Sequence, residues 1–227
     1  MNSAIIVAAG KGIRMGPNVD KLLYELNGRP IVVHTWLRFD HARCIDEIVL
    51  VVRDGTQSAF EDLAKKFQPR KPYRFVVGGA ERQDSVWNGL EALSAESEMV
   101  AIQDAARPCS SEALIAATFE AASEAGAAVA AQPVMDTIKE SADGKWVQRT
   151  VDRVRLWTVQ TPQTFRVEII RRALAEVRRR GLLVTDDTAA CELIGQPVRL
   201  VASDAPNPKV TVPGDLPQIA FLLSQQR

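Results

Sequence analysis

Several short stretches of this chain combine residue types and spacings suited to chemistry on phosphate. The first is Ala8-Ala9-Gly10-Lys11-Gly12-Ile13-Arg14-Met15-Gly16. Small residues there let backbone N–H groups approach an anion closely, and Arg14 and Lys21 could bring two positive charges to it. The spacing matches neither familiar phosphate loop: the third glycine comes one residue too late for the dinucleotide fingerprint, and Gly10-Lys11 is followed by Gly12 where a P-loop needs Ser or Thr. An ordinary strand-to-helix turn with two surface cations is the plain alternative. The second stretch is Gln103-Asp104-Ala105-Ala106-Arg107-Pro108. An aspartate at the carboxyl end of a parallel strand sits where open α/β sheets bind ligands, and Asp104 suits a Mg²⁺ held jointly with substrate phosphates. Asp104 and Arg107 could equally pair with each other and shape the turn. The third group is Thr150-Val151-Asp152-Arg153, Thr161-Pro162-Gln163 and Thr185-Asp186-Asp187. Helix capping is an alternative reading of the last of these, above all for Asp187. The fourth is Pro208-Lys209-Val210-Thr211, where Lys209 taken alone reads as a solvated charge.

The elements that would carry these residues follow a regular rhythm. Short apolar runs at 4–9, 47–52, 73–77, 99–102, 127–131 and 198–201 read as strands, most of them continuously apolar. Between them lie helix-length segments at 31–39, 58–67, 112–124, 167–179 and 187–194, and one from Arg82 with Val86, Leu90 and Leu93 on a single face. A last helix carries Leu216, Ile219, Ala220 and Leu223. Buried strands alternating with helices predict a mostly parallel sheet covered on both faces, a three-layer α/β sandwich with Rossmann-like winding. Residues 135–160 break the rhythm. Asp143-Gly144 is a hairpin turn signal between β-prone segments, so an inserted two-stranded arm is expected, and such a hairpin is rarely stable unless it packs on something.

At 227 residues the chain reads as one domain spanning 1–227, and 46% hydrophobic with 25% charged residues argues against disorder. Lys plus Arg number 28 and Asp plus Glu 28, so no basic excess points to nucleic acid or to anionic lipid. No apolar run approaches the ~20 residues that cross a bilayer, and the N-terminal apolar run is too short for a signal peptide. Cys44, Cys109 and Cys191 are far apart and odd in number, neither a disulfide framework nor a zinc site. A cytoplasmic protein is expected. Arg178-Arg179-Arg180 reads as a helix end before Gly181 rather than a nucleic-acid patch, and His34 and His41 receive no role.

Taken together, these stretches resemble the 2-C-methyl-D-erythritol 4-phosphate cytidylyltransferase family. The glycine loop with Arg14 and Lys21, Gly78-Gly79-Ala80-Glu81-Arg82-Gln83-Asp84-Ser85, the Asp104 stretch, Asp136-Thr137-Ile138-Lys139, Thr150–Arg153, Thr161-Pro162-Gln163, Thr185-Asp186-Asp187 and Lys209-Val210-Thr211 match it in order, from residue 4 to about 216. The resemblance implies a nucleotide-diphospho-sugar transferase type of fold and transfer of CMP from CTP to a polyol phosphate, 2-C-methyl-D-erythritol 4-phosphate. Pyrophosphate is released, in the non-mevalonate route to isoprenoids. It implies Arg14 and Lys21 at the CTP phosphates, Arg153 and Lys209 holding the methylerythritol phosphate, and Asp104 beside Mg²⁺ and the triphosphate. Ala8, Ala9, Gly10, Gly12, Gly79 and Ser85 match positions around the nucleotide. Arg107, Thr137, Thr161 and Thr185 match the second substrate's pocket. It also implies a homodimer in which each 135–160 arm reaches the partner's site. Where the family usually has Pro-Lys-Gln, this chain has Asp20-Lys21-Leu22, which sets a carboxylate beside the cation; Gln103 stands where histidine is common, and Ala80 where a polar residue is frequent. A cytidylyltransferase for ribitol 5-phosphate or another polyol phosphate is the nearest rival. A nucleotide-dependent oxidoreductase is disfavoured by the spoiled glycine spacing. A non-catalytic nucleotide sensor is disfavoured by the joint presence of Arg14, Lys21, Asp104, Arg153 and Lys209.

Overall fold

The computed structural model describes residues 1–10, 20–203 and 205–225; Gly12 and Arg14 therefore lie outside the described residues. The chain runs β1 (Asn2–Ala8), β2 (Glu25–Leu26), β3 (Arg29–Pro30), α1 (Ile31–His41), β4 (Glu47–Val52), α2 (Gln57–Phe67), β5 (Tyr73–Val77), α3 (Arg82–Glu91) and β6 (Met99–Asp104). It continues through α4 (Glu112–Ala125), β7 (Ala127–Pro133), β8 (Ile138–Glu140), β9 (Arg149–Val151), β10 (Trp157–Arg166), α5 (Val167–Arg180), α6 (Asp187–Leu193), β11 (Arg199–Ala202) and α7 (Leu216–Gln225).

The central sheet has seven strands in the order β11-β7-β10-β6-β1-β4-β5. β1 pairs in parallel with β4 and β6, β4 with β5, and β7 with β11. Only β10 is antiparallel, lying between β6 and β7. The chain thus leaves β1 in one direction towards β4 and β5, then crosses to β6 on its other side. That reversal is the topological switch point where open α/β sheets form their ligand crevice.

Continuous apolar strands follow from burial on both faces. Along β4 every residue is buried, with Ile48, Leu50 and Val52 in one core and Val49 and Val51 in the other. The first core is closed by Trp36 and Phe39 of α1, Phe60 of α2, Ile115 of α4 and Ile219 of α7. The second is closed by Val86 and Leu90 of α3, Ile170 and Leu174 of α5, and Cys191 of α6. Gly89 of α3 has no room for a side chain, since a Cβ there would fall 2.8 Å from the Ile5 side chain and 3.0 Å from that of Val51. This close approach seats α3 on β1 and β4 and brings its first turn, with Arg82 and Ser85, to the strands' carboxyl ends.

The region after residue 134 departs from the sequence reading. The arm does not extend through 160, because Trp157, Thr158 and Val159 already pair with β7 in the main sheet. The long strand β10 is not among the strands read from the sequence, and Pro162 within it is a residue that normally argues against a central strand. It is tolerated here because the pairing register shifts between Val159 and Gln163, a bulge of the kind that relieves the ladder. The arm itself is a separate two-stranded sheet of β8 and β9. Its tip is wider than a two-residue turn, with Asp143 accepting hydrogen bonds from the Lys145 and Trp146 amides.

Candidate active site

The carboxyl ends of β1, β4, β5 and β6 open into one cleft of about 600 Å³, within the size range of small-molecule sites. Each strand hands over a different piece of wall. After β1 come Ala9 and Gly10, after β4 Arg53 and Asp54, after β5 Gly78 and Gly79, and β6 ends on Asp104 followed by Ala105 and Ala106. Lys21 and Lys209 complete the wall from more distant segments.

The glycine pair after β5 is dictated by space. A Cβ on Gly78 would stand 2.4 Å from the Ala9 Cβ, and one on Gly79 would stand 2.3 Å from the Asp84 Cβ. The β1 and β5 loops therefore touch, and the slot beside them is bounded mainly by backbone. Buried Ser85 fixes this contact: its hydroxyl accepts a hydrogen bond from the Gly79 amide and donates to the Glu81 carbonyl, both at 3.1 Å.

Asp104 is the electrostatic centre. Lys209 Nζ lies 2.7 Å from its Oδ2, Arg107 Nε 3.6 Å from the same oxygen, and Arg82 Nε 3.5 Å from its Oδ1. Burial alone pushes this carboxyl up, but the Arg82, Lys209 and Arg107 charges outweigh burial and hold it below the usual carboxylate range. The Asp104 amide donates to Thr161 Oγ1 at 3.0 Å, so the bulge in β10 buttresses the aspartate from below. Buried Gln103 donates to the Arg107 carbonyl and to Ser110 Oγ, shaping the turn that follows.

Lys209 is not the lone solvated cation that its local sequence suggests. Asn207, almost fully buried, donates to the Thr161 carbonyl, accepts from Ser110, and offers its own carbonyl to Arg107 Nη1. The Val210 amide then bonds the Ala106 carbonyl at 2.9 Å. These bonds dock the segment around 205–210 onto the β6 turn and carry Lys209 to Asp104. Lys21 reaches the same place, its Nζ donating to the Val210 carbonyl at 3.1 Å.

Arg82 lacked an assigned role in the sequence, although it sits inside a quoted motif. Its Nη2 lies 2.8 Å from Asp187 Oδ2, a close ion pair whose angles fall short of an aligned hydrogen bond. Asp187 is fully buried, and burial pushes its carboxyl up while Arg82 pulls it back. Asp187 is therefore not the helix cap. That part falls to Asp186, whose side chain accepts from the Ala189 amide at 2.9 Å. Only long-range pairing distinguishes the two neighbours, and no local signal carried it.

Of the residues singled out from sequence, Ala9, Gly10, Lys21, Gly79, Ser85, Asp104 and Lys209 line the cleft. Ala8 lies buried just behind it, and Arg107 and Thr161 support Asp104. Thr137 and Arg153 stand exposed on the arm, and Thr185 is exposed before α6; none lines this chain's own cleft among the described residues.

A cleft at the switch point, lined by glycine loops and by cations gathered on one aspartate, is suited to a nucleoside triphosphate. Comparison with known proteins identifies the family. The profile of 2-C-methyl-D-erythritol 4-phosphate cytidylyltransferase matches residues 2–225. The protein of that name from Geobacillus thermodenitrificans is 43% identical over 213 residues, covering 94% of this chain and 92% of that protein. The one from Alkaliphilus oremlandii is 40% identical over 226 residues, covering 99% and 96%. Among solved structures, a 4-diphosphocytidyl-2C-methyl-D-erythritol synthase of Anaerococcus prevotii superposes with a TM-score of 0.84 at 32% identity, covering 100% of this chain and 96% of that one. A 2-C-methyl-D-erythritol 4-phosphate cytidylyltransferase of Thermus thermophilus superposes with a TM-score of 0.78 at 34% identity, covering 99% and 100%. The chain belongs to the 2-C-methyl-D-erythritol 4-phosphate cytidylyltransferase family of nucleotidyltransferases.

Proposed function

We propose that this cleft is where the enzyme moves CMP from CTP to 2-C-methyl-D-erythritol 4-phosphate. The observation that carries the assignment is the convergence of Lys21, Arg82 and Lys209 on the Asp104 end of β6, beside the glycine slot. A phosphate oxygen of the polyol phosphate attacks the α-phosphorus in line, the bond from the α-phosphorus to the bridging oxygen breaks, and pyrophosphate leaves. The attacking phosphate is already ionised at neutral pH, so no general base is needed, and among the described residues no histidine lines the cleft. The protein's contribution is then positioning and charge neutralisation. Lys21, with Arg14 from outside the described residues, faces charge that builds on the triphosphate. Lys209 meets the incoming phosphate. Ala8, Ala9, Gly10, Gly12, Gly79 and Ser85 surround the nucleotide, and Arg107 and Thr161 brace the floor of the second pocket.

A divalent cation fits this donor set through Asp104 together with the substrate phosphates. Among the described residues no group of three or more acidic, histidine or cysteine side chains could cage a metal, but Asp104 is held ionised at the cleft. Mg²⁺ commonly takes one or two carboxylates and completes its shell with substrate phosphates, so Asp104 would hold it. Its chemistry would be neutralisation of phosphate oxygens.

Thr137 and Arg153 lie on the arm, outside this chain's cleft, so a part for them in substrate binding requires a second copy. The arm supports this reading. Trp146 is 77% exposed, Val147 63% and Val154 83%, an apolar surface of the sort that marks an interface. In the homodimer proposed here each arm covers its apolar side on the other subunit and delivers Arg153 and Thr137 to that subunit's polyol-phosphate pocket. Replacing Trp146 and Ile138 by polar residues should give monomers in sedimentation, with affinity for the polyol phosphate falling more than affinity for CTP. A wild-type monomer at micromolar concentration with normal turnover would refute the arrangement. The free thiols of Cys44, Cys109 and Cys191 support a reducing compartment such as the cytosol.

The direct test is pyrophosphate release with each pair of nucleotide and polyol phosphate, 2-C-methyl-D-erythritol 4-phosphate against ribitol 5-phosphate. CTP should be used at least ~100-fold better than ATP, because polar groups arranged for a cytosine edge are left unpaired by another base. Equal rates with ATP would contradict the placement of the base in the glycine slot.

A further inference from the structure

We propose that Arg53 is a positioning residue that sequesters the Asp20 carboxylate and so keeps the neighbouring Lys21 ammonium available to the triphosphate. The inference rests on the reading of Lys21 given above. Asp20 stands directly before Lys21, and consecutive Cα atoms are ~3.8 Å apart, well inside the ~8–10 Å screening length of physiological salt. An unengaged carboxylate there would compete with phosphate oxygens for the ammonium.

Both Asp20 oxygens are taken. Arg53 Nη2 lies 2.7 Å from Oδ2, and the Leu22 amide donates to Oδ1 at 3.1 Å. The two neighbouring side chains are drawn apart. Arg53 follows β4, which flanks β1 on one side. Lys21 donates to Val210, a residue docked on the turn after β6, which flanks β1 on the other. Arg53 and Asp20 are only about one-third and one-quarter exposed, so the pair is shielded from water more than a surface bridge. A guanidinium also holds a carboxylate in a fixed geometry better than an ammonium does. Although Arg53 also forms part of the cleft wall, in this proposal it acts on the reaction through Asp20 and Lys21.

The test compares Arg53→Gln, Asp20→Asn/Arg53→Gln, Lys21→Ala and Lys21→Ala/Arg53→Gln in steady-state pyrophosphate release with CTP and 2-C-methyl-D-erythritol 4-phosphate. One uncompensated charge inside the screening length, at an effective dielectric of ~20, is worth of order tenfold in rate. Arg53→Gln should therefore lower kcat of order tenfold while the KM for CTP moves by less than about twofold. Adding Asp20→Asn should restore kcat to within about threefold of wild type, because no carboxylate remains to compete. In the Lys21→Ala background Arg53→Gln should cost nothing further. A double variant as impaired as Arg53→Gln alone would overturn the proposal, since Arg53 would then act through its own charge. An unchanged Arg53→Gln beside an impaired Lys21→Ala would overturn it too, leaving the Lys21 assignment intact. A fully active Lys21→Ala would instead remove the assignment on which it rests. If Arg53→Gln folds poorly, Arg53→Lys carries the same comparison, with a smaller loss that Asp20→Asn should again reverse.

Discussion

Lys21→Ala is expected to lower kcat by a factor of roughly 10² or more, since one preorganised donor aimed at charge developing in the transition state is worth about 3–4 kcal/mol. Lys21 lines the cleft with its Nζ tethered to the Val210 carbonyl, so the ammonium is in place before substrate arrives. Its effect should grow as charge passes to the departing pyrophosphate. The loss should therefore appear in kcat and in kcat/KM alike, and only weakly in the affinity for CTP. The cost to the fold should be small. Losing the part-buried hydrogen bond to the Val210 carbonyl costs about 1 kcal/mol, which at this chain length moves the unfolding midpoint by about 2–4 °C. Full turnover in the purified, folded variant would remove Lys21 from the machinery.

Much of this site was legible in the sequence because parallel sheets announce themselves locally. The continuous apolar runs marked β1, β4, β6 and β7 within a few residues, and the position of Asp104 straight after such a run already put it at a strand's carboxyl end. What the sequence hid is held by distant partners. Lys209 looks like a surface charge until Asn207 and Val210 are seen stitched to the β6 turn. Arg82 and Asp187 look unrelated until folding sets them 2.8 Å apart. Strand β10 hid behind Pro162, because a rule about prolines in central strands does not foresee a bulge. Thr137 and Arg153 show a different gap. Family resemblance gave them a part in substrate binding, yet one chain carries them on its arm, away from its own cleft.

Arg82→Met should destabilise the protein by about 3–5 kcal/mol at neutral pH, because it strands a buried carboxylate without its partner. Asp187 is fully buried, and the guanidinium of Arg82 faces it at 2.8 Å. A loss of this size lowers the unfolding midpoint by roughly 10 °C. The dependence on pH follows from the sign of the shifts. Burial already holds the Asp187 carboxyl above its ordinary value, and Arg82 opposes that rise, so removing Arg82 raises it further. A group whose folded pKa lies above its unfolded one binds its proton more tightly in the fold. The penalty therefore grows as pH rises from the unfolded carboxylate value near ~4 and levels off above the folded pKa. Asp104 changes in the same sense. Arg82 helps hold its carboxyl low, a contribution to stability present above the unfolded value and lost as pH falls through the folded one. Without Arg82 less of it remains at neutral pH. The gap between variant and wild type should thus be widest near pH 7 and close towards pH 4. Pairing the change with Asp187→Leu should recover most of the loss, since an apolar pair can replace a buried ion pair at little cost. Chemical denaturation at several pH values measures both effects. An equal deficit at pH 5 and pH 8, with no recovery in the double variant, would mean that Arg82 holds the fold by its packing and not by its charge.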